Sequence, residues 1–227
     1  MVFIHNNKYR LQELETESVN GKRHYITPEG RYPSVTTVLS FFKAQGIKEW
    51  RKRVGEEEAK RITARATRRG TSVHKLAEDY LGNKADYAEG HMPKNVESFN
   101  QIRSMLDENV EEVYGLEVPM YSKYLRVAGR TDCVGVWNGR PSIIDFKTSL
   151  KPKKREWIDN YFEQGSCYAV MFEERTGVVI NDIVIAIAVD NSEPQLFIEK
   201  RDNYIKSAIE KIRRYEEIHS PKSQPSV

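Results

Sequence analysis

Between residues 130 and 149 the chain reads RTDCVGVWNGRPSIIDFKTS, two apolar stretches joined at Asn138-Gly139. Both residues of a two-residue type I′ loop need positive φ, which Asn and Gly tolerate best, so the dipeptide predicts a tight antiparallel hairpin. A two-residue loop also dictates register. Trp137 then faces Arg140, and counting outward in step places Asp132 opposite Asp145. That pair falls at a non-hydrogen-bonded position, where opposing Cβ atoms approach to about 4.5–5.5 Å. Pro141, which has no N–H to donate, also falls where none is needed.

Alternation along the two strands puts Val134, Val136, Ile143 and Lys147 on the face of the aspartates, and Cys133, Trp137, Ile144 and Phe146 on the other. Both faces are largely apolar, which predicts burial. Two carboxylates opposed in a buried sheet repel each other unless a cation lies between them. The alternative, a solvated hairpin end with ordinary surface charges, leaves the apolar neighbours without a reason. Oxygen ligands select a hard ion, Mg²⁺ or Mn²⁺. Lys147, one pleat beyond Asp145, is placed to orient or deprotonate a water, or to stabilise charge developing on a phosphate.

The remaining sequence predicts an α/β chain. Asn20-Gly21 predicts a small N-terminal hairpin between segments 8–14 and 22–27, and Ser34 is placed to cap a following helix. From Ile47 to Arg69 the pattern is helical, with an interruption near Gly55, and a further helical stretch runs from Thr71 to Leu81. Val96, Phe99, Ile102, Leu106 and Val110 mark another amphipathic helix. Strand patterns follow at 111–122 and 125–127. A helix over 156–175 carries Trp157, Tyr161, Gln164, Tyr168 and Met171 on one face and ends at Gly177. Ile183 to Val189 is a buried central strand, Gln195 to Ile198 is placed to pair with it, and a last helix spans 202–217. Residues 221–227 are polar and Pro-bearing, and are expected to be disordered.

Length permits one domain over residues 1–220, organised as an accessory hairpin lobe (1–33), a basic helical region (43–69) and a sheet core (111–200). The formal net charge of the 227 residues is only +3, yet Lys43 to Arg69 holds ten Lys/Arg against four Glu, a local +6. Within it Arg61, Arg65, Arg68 and Arg69 recur at helical steps, a stripe able to track phosphates or else a solvated face balanced by Glu56 to Glu58. Trp50 and Tyr80 are candidates for base stacking, with burial the commoner fate of such rings. The two cysteines, Cys133 and Cys167, have no zinc-type spacing and are too few for an iron-sulfur cluster. No apolar run is long enough to span a membrane, and the first residues show neither a secretory nor an import signal. The expectation is a cytoplasmic protein.

Asp132 followed by Asp145-Phe146-Lys147, with Ile143-Ile144 before them, resembles the D…(D/E)xK signature of the PD-(D/E)XK nuclease superfamily. GTSVH at residues 70–74, GRTD at 129–132, IIDFKT at 143–148 and the Gln164/Tyr168 pair resemble RecB-like exonucleases, a branch that includes the phage and mitochondrial genome maintenance exonucleases. These four elements stand in the family's order. The resemblance implies a restriction-endonuclease-like core, a mixed central sheet flanked by helices. It also implies that His74, otherwise a histidine bordering an apolar helix stripe, joins Asp132, Asp145 and the Phe146 carbonyl at the metal. Glu117, otherwise an ordinary strand charge, falls where such nucleases often carry a further acid. Gln164 and Tyr168, otherwise packing residues, are implied to orient a DNA end, with Arg130 of GRTD as a further DNA contact.

The function implied is a Mg²⁺- or Mn²⁺-dependent exonuclease acting on single-stranded DNA ends, in phage or bacterial DNA degradation, replication or recombination. No membrane, iron-sulfur or protein partner is expected. An endonuclease of the same superfamily and a non-catalytic single-strand DNA-binding or recombination module are the rival readings, the latter disfavoured by the intact Asp132, Asp145 and Lys147 set.

Overall fold

The structure is a computed structural model and describes residues 1–219. The expected disorder of 221–227 lies outside them. Among the described residues nine strands form two sheets. The large sheet contains β1 (Ile4–His5), β5 (Val110–Ser122), β6 (Val127–Trp137), β7 (Arg140–Ser149), β8 (Asp182–Val189) and β9 (Gln195–Lys200), side by side in that order. Its pairings are parallel at β1/β5 and β7/β8 and antiparallel elsewhere, so the sheet is mixed. The α-helices of the described residues are α1 (Val35–Phe41), α2 (Ala44–Val54), α3 (Glu56–Leu81), α4 (Pro93–Asn109), α5 (Asp159–Thr176) and α6 (Ile205–His219).

The β6–β7 turn has Asn138 at φ 47° and Gly139 at φ 73°, the conformation that selects this dipeptide. Trp137 pairs with Arg140, and the register continues in step to Cys133–Ile144. The two faces divide as the alternation predicts. Val134 and Ile143 join a cluster with Phe162 and Phe172 of α5 and Ile212 of α6. Cys133, Trp137, Ile144 and Phe146 join another with Val73, Leu76 and Ala77 of α3 and Phe99, Ile102 and Leu106 of α4. Helices therefore cover both faces, and β8, buried along its whole length, alternates between the two clusters: Ile183, Ile185 and Ile187 on one side, Val184, Ala186 and Ala188 on the other.

Several expectations shift. The N-terminal hairpin turns at Asn20-Gly21, but its first strand is β2 (Thr16–Val19), not 8–14, and with β3 (Lys22–Thr27) and β4 (Gly30–Pro33) it makes a three-stranded sheet. Tyr25 and Tyr32 anchor that sheet on Tyr121 and Ala128 of the large one. Residues 7–9 form a 3-10 turn, and Ile4–His5 adds a parallel edge strand beside β5 that two residues are too short to signal. Helix α3 runs unbroken through Gly70, because the packing of its second half outweighs one glycine's propensity cost of about 1 kcal/mol. Ser34 caps α1 by accepting from the Thr37 amide at 3.0 Å, and Gly177 closes α5 at φ 76°. Trp157 leaves the predicted apolar face: it sits in a 3-10 turn before α5 and is 58% exposed.

Candidate active site

The β6–β7 ladder stops one step short of the aspartates. Beyond Cys133–Ile144 the strands part, β7 stays paired with β8 through Ser149, and Asp132 Oδ2 accepts the Phe146 N–H at 2.8 Å. The side chain thus replaces a backbone acceptor, satisfying an amide that would otherwise be buried without a partner. Asp132 and Asp145 are consequently not a laddered pair, a correction to the predicted register. They remain in one electrostatic group, and the Asp132 charge contributes to raising the Asp145 pKa.

On the other side of β6, Leu116 pairs with Cys133 and Val118 with Thr131, so Glu117 lies opposite Asp132. Two register shifts in β5, between Val110 and Glu112 and between Val113 and Gly115, set this alignment. Glu117 itself has φ 48°, a left-handed conformation that costs a non-glycine residue about 1–3 kcal/mol and that clusters at functional sites. From α3, His74 brings Nδ1 to 3.3 Å from Asp132 Oδ1. Ligand atoms of His74, Glu117 and Asp132 all lie within 4.8 Å of one another. Asp145 stands outside that cluster. It is 3% exposed, with Oδ2 ion-paired to the Lys147 ammonium and Gln164 Nε2 3.5 Å from Oδ1.

Electrostatics follow from this crowding. Burial, then Asp132 and Glu78, push the Glu117 carboxyl up to about 7, against His74 and Arg130. Burial alone would raise Asp132, but the His74 hydrogen bond and charge, Lys147 and the Phe146 amide together hold it below its ordinary value. Burial works to lower His74, and Asp132 outweighs it, so its pKa rises. Burial also works against the Lys147 ammonium, yet Asp145 and Asp132 keep its pKa above the ordinary value. A lysine held charged suits orientation and charge stabilisation; proton abstraction, the other role open from sequence, does not fit this state. Tyr161, whose role beside Lys147 sequence reasoning did not foresee, lies with its ring centroid 5.2 Å from that ammonium. Its position three residues before Gln164 on α5 was the available signal.

The close-set carboxylates of Glu117 and Asp132 with the neighbouring His74 are a donor set that fits a hard divalent ion. The other predicted residues divide. Arg65 and Arg68 are exposed on α3; Arg61 is exposed but bonded twice to Glu58, at 2.8 Å each. Arg61 and Arg65 share a pocket with Leu150, the residue after β7, so the basic stripe adjoins the strand carrying Asp145 and Lys147. Arg69 is a correction: it is 8% exposed and ion-paired to Asp190 at the end of β8, away from solvent. Arg130 is also engaged within the protein, with Glu13 and the Glu117 carbonyl. Tyr168, 2% exposed, lies beneath the site and receives Gln164 Nε2 at 3.3 Å, so it supports Gln164 instead of reaching a ligand. Its ring presses on Gly129, where an added Cβ would meet it at 2.6 Å, which gives the glycine of GRTD its physical reason. Tyr80, half-buried, packs on Phe3, Tyr87 and Phe99 and hydrogen-bonds Asp107, so it is a packing residue.

No family model matches the chain. It is 29% identical over 168 residues to mitochondrial genome maintenance exonuclease 1 of Mus musculus, a match covering 68% of this chain and 48% of that protein. The Homo sapiens protein of the same name is 30% identical over 131 residues, covering 53% of this chain and 38% of that protein.

The chain is similar to mitochondrial genome maintenance exonucleases.

It spans about half the length of the curated relatives it matches. Among solved structures, an exonuclease candidate from Eubacterium rectale aligns with a TM-score of 0.46 and 16% identity over 67% of this chain and 69% of that one. Among the described residues no helix is long and apolar enough to cross a membrane.

Proposed function

We propose that this nuclease-family chain is a divalent-metal-dependent DNA exonuclease that hydrolyses phosphodiester bonds at single-stranded ends. The observation that carries the reading is the cluster of half-buried His74, Glu117 and Asp132, with buried Asp145 and its partner Lys147 on the strand beside it. Carboxylates set this close and partly withdrawn from water repel one another, and a cation is what offsets that cost. Asp132, Asp145 and the Phe146 carbonyl, with His74 and Glu117 beside them, are the groups that would hold Mg²⁺ or Mn²⁺. Such an ion supplies Lewis-acid stabilisation of the phosphate and a lowered pKa for a bound water.

The chain's own groups do the rest. Lys147 Nζ, kept charged, orients the attacking water and offsets the negative charge that builds as the new P–O bond forms and the bond to the leaving oxygen breaks. Gln164, steadied by Tyr168, holds Asp145 in place. The exposed Arg65 and Arg68 give the incoming strand a phosphate track toward the end of β7.

End-labelled single-stranded, duplex and circular DNA, each incubated with Mg²⁺, Mn²⁺ or EDTA, tests the proposal. Nucleotide release from linear single strands with metal, and intact circles, is the expected result. Cut circles would make the chain an endonuclease, and DNA binding without cleavage in any metal would make it a binding module.

A further inference from the structure

We propose that Arg130 is a positioning residue for the metal site, bracing the backbone of Glu117 against Glu13; this rests on the metal-dependent reading above. In a regular strand Glu117 would have negative φ and needs no side chain to hold it. Here its φ is 48°, which an L-residue keeps only when its surroundings enforce it. The enforcing contact is visible. Arg130 Nη1 donates to the Glu117 carbonyl oxygen at 2.5 Å, while the same guanidinium is ion-paired with the Glu13 carboxylate, whose Oε1 is 3.4 Å from Nη1.

The register explains why Arg130 can do this. It pairs with Pro119, so its reach runs diagonally back by two residues along β5, to the residue opposite Asp132. Guanidinium geometry, planar with several donors, lets one side chain serve a carbonyl and a carboxylate together, which a lysine's point charge does less well. Glu13 belongs to the irregular segment between the 3-10 turn at Asn7–Tyr9 and β2, so the brace also ties the N-terminal segment to the site. Released from it, the Glu117 backbone relaxes toward the extended form, and its carboxylate leaves the cluster with His74 and Asp132. The family resemblance suggested a different role, contact with DNA, and the two make opposite predictions.

Mn²⁺ binding to the full chain, measured by titration calorimetry, decides between them when paired with binding of a labelled single-stranded oligonucleotide in EDTA. As a brace, Arg130→Ala weakens Mn²⁺ binding about 10-fold, the scale on which outer partners of metal ligands act, and leaves oligonucleotide affinity in EDTA unchanged. Electrostatics alone predicts the reverse sign, since removing a cation beside a cation site tightens binding. Arg130→Lys should recover only part of the loss. Glu13→Gln, at a side chain 72% exposed and thus safe for folding, should weaken Mn²⁺ binding in the same direction by a smaller factor, and it decides the matter if Arg130→Ala does not fold. Unchanged or tighter Mn²⁺ binding in the folded variants overturns the brace while leaving the metal site standing. Loss of oligonucleotide affinity in EDTA with normal Mn²⁺ binding assigns Arg130 to DNA instead. A wild-type chain that binds no Mn²⁺ ends the metal reading and the brace with it.

Discussion

Midway along β5, β6 and β7, Glu117, Asp132 and Asp145 stand on neighbouring strands, half-buried or buried, whereas along the first half of α3 the charges lie in solvent and largely neutralise one another. Arg61 bonds Glu58 and Lys60 bonds Glu57 one turn away, pairs of the kind that contribute about 0.3–0.5 kcal/mol. In the strand cluster the ion pair of Asp145 and Lys147 is buried, and removing one partner of such a pair costs about 3–5 kcal/mol. The same residue types therefore mean different things in the two regions. Repulsion tolerated in the interior signals a missing counter-charge; pairing on the surface signals little beyond solubility, with Arg65 and Arg68 left over for a polyanion.

The comparison is most directly broken at Asp145. Asp145→Asn should lower metal-dependent nucleolysis by on the order of 100-fold or more while oligonucleotide binding in Ca²⁺ persists; an active variant in a gel-based release assay would remove Asp145 from the site. Lys147→Ala should cost on the order of 100-fold in kcat, and it should also lower thermal stability in EDTA, because Asp145 is left buried and unpaired. Full activity of the purified variant would refute its role.

A smaller effect sharpens the electrostatic side. The Glu117 carboxyl, raised from 4.5 to about 7, favours the folded metal-free state while protonated. Its contribution is complete below about pH 4.5 and is lost as pH rises through about 7. Unfolding temperatures in EDTA should therefore fall over that window and those in Mn²⁺ should not, and Glu117→Gln should flatten the difference. The smallest change is expected on α3. Arg65→Ala or Arg68→Ala should each reduce the salt slope of single-strand binding by about 0.7, and Arg61→Ala by less, since Glu58 already holds that guanidinium. Equal slopes for all three would show that surface pairing does not withhold Arg61.

Much of this was readable in advance where a local rule sufficed. Asn138-Gly139 carried the hairpin and its register through five pairs, Ser34 its cap, Gly177 its helix end, and the apolar alternation of β6 and β7 the two faces of the core. His74, Glu117 and Asp132 do converge, a juxtaposition drawn from resemblance and beyond the reach of spacing, since His74 and Asp132 are 58 residues apart. What failed were assignments that depend on packing against distant elements. Arg69 shares the stripe of Arg65 and Arg68, but Asp190, 121 residues away, draws it inside. Tyr168 shares a helix face with Gln164, but that face lies against the sheet.

The residues alone determined which strands would form, how the hairpin closes and which chemical groups line up along it, because turn geometry and two-residue alternation are local properties of the backbone. Only tertiary structure decided that the ladder would part before the aspartates, that Asp132 would take the Phe146 amide, and that Glu117 would be held at positive φ within reach of His74. Those outcomes depend on long-range competition for buried hydrogen bonds and charges, in which each group's partner is set by the fold around it and not by its neighbours in the chain.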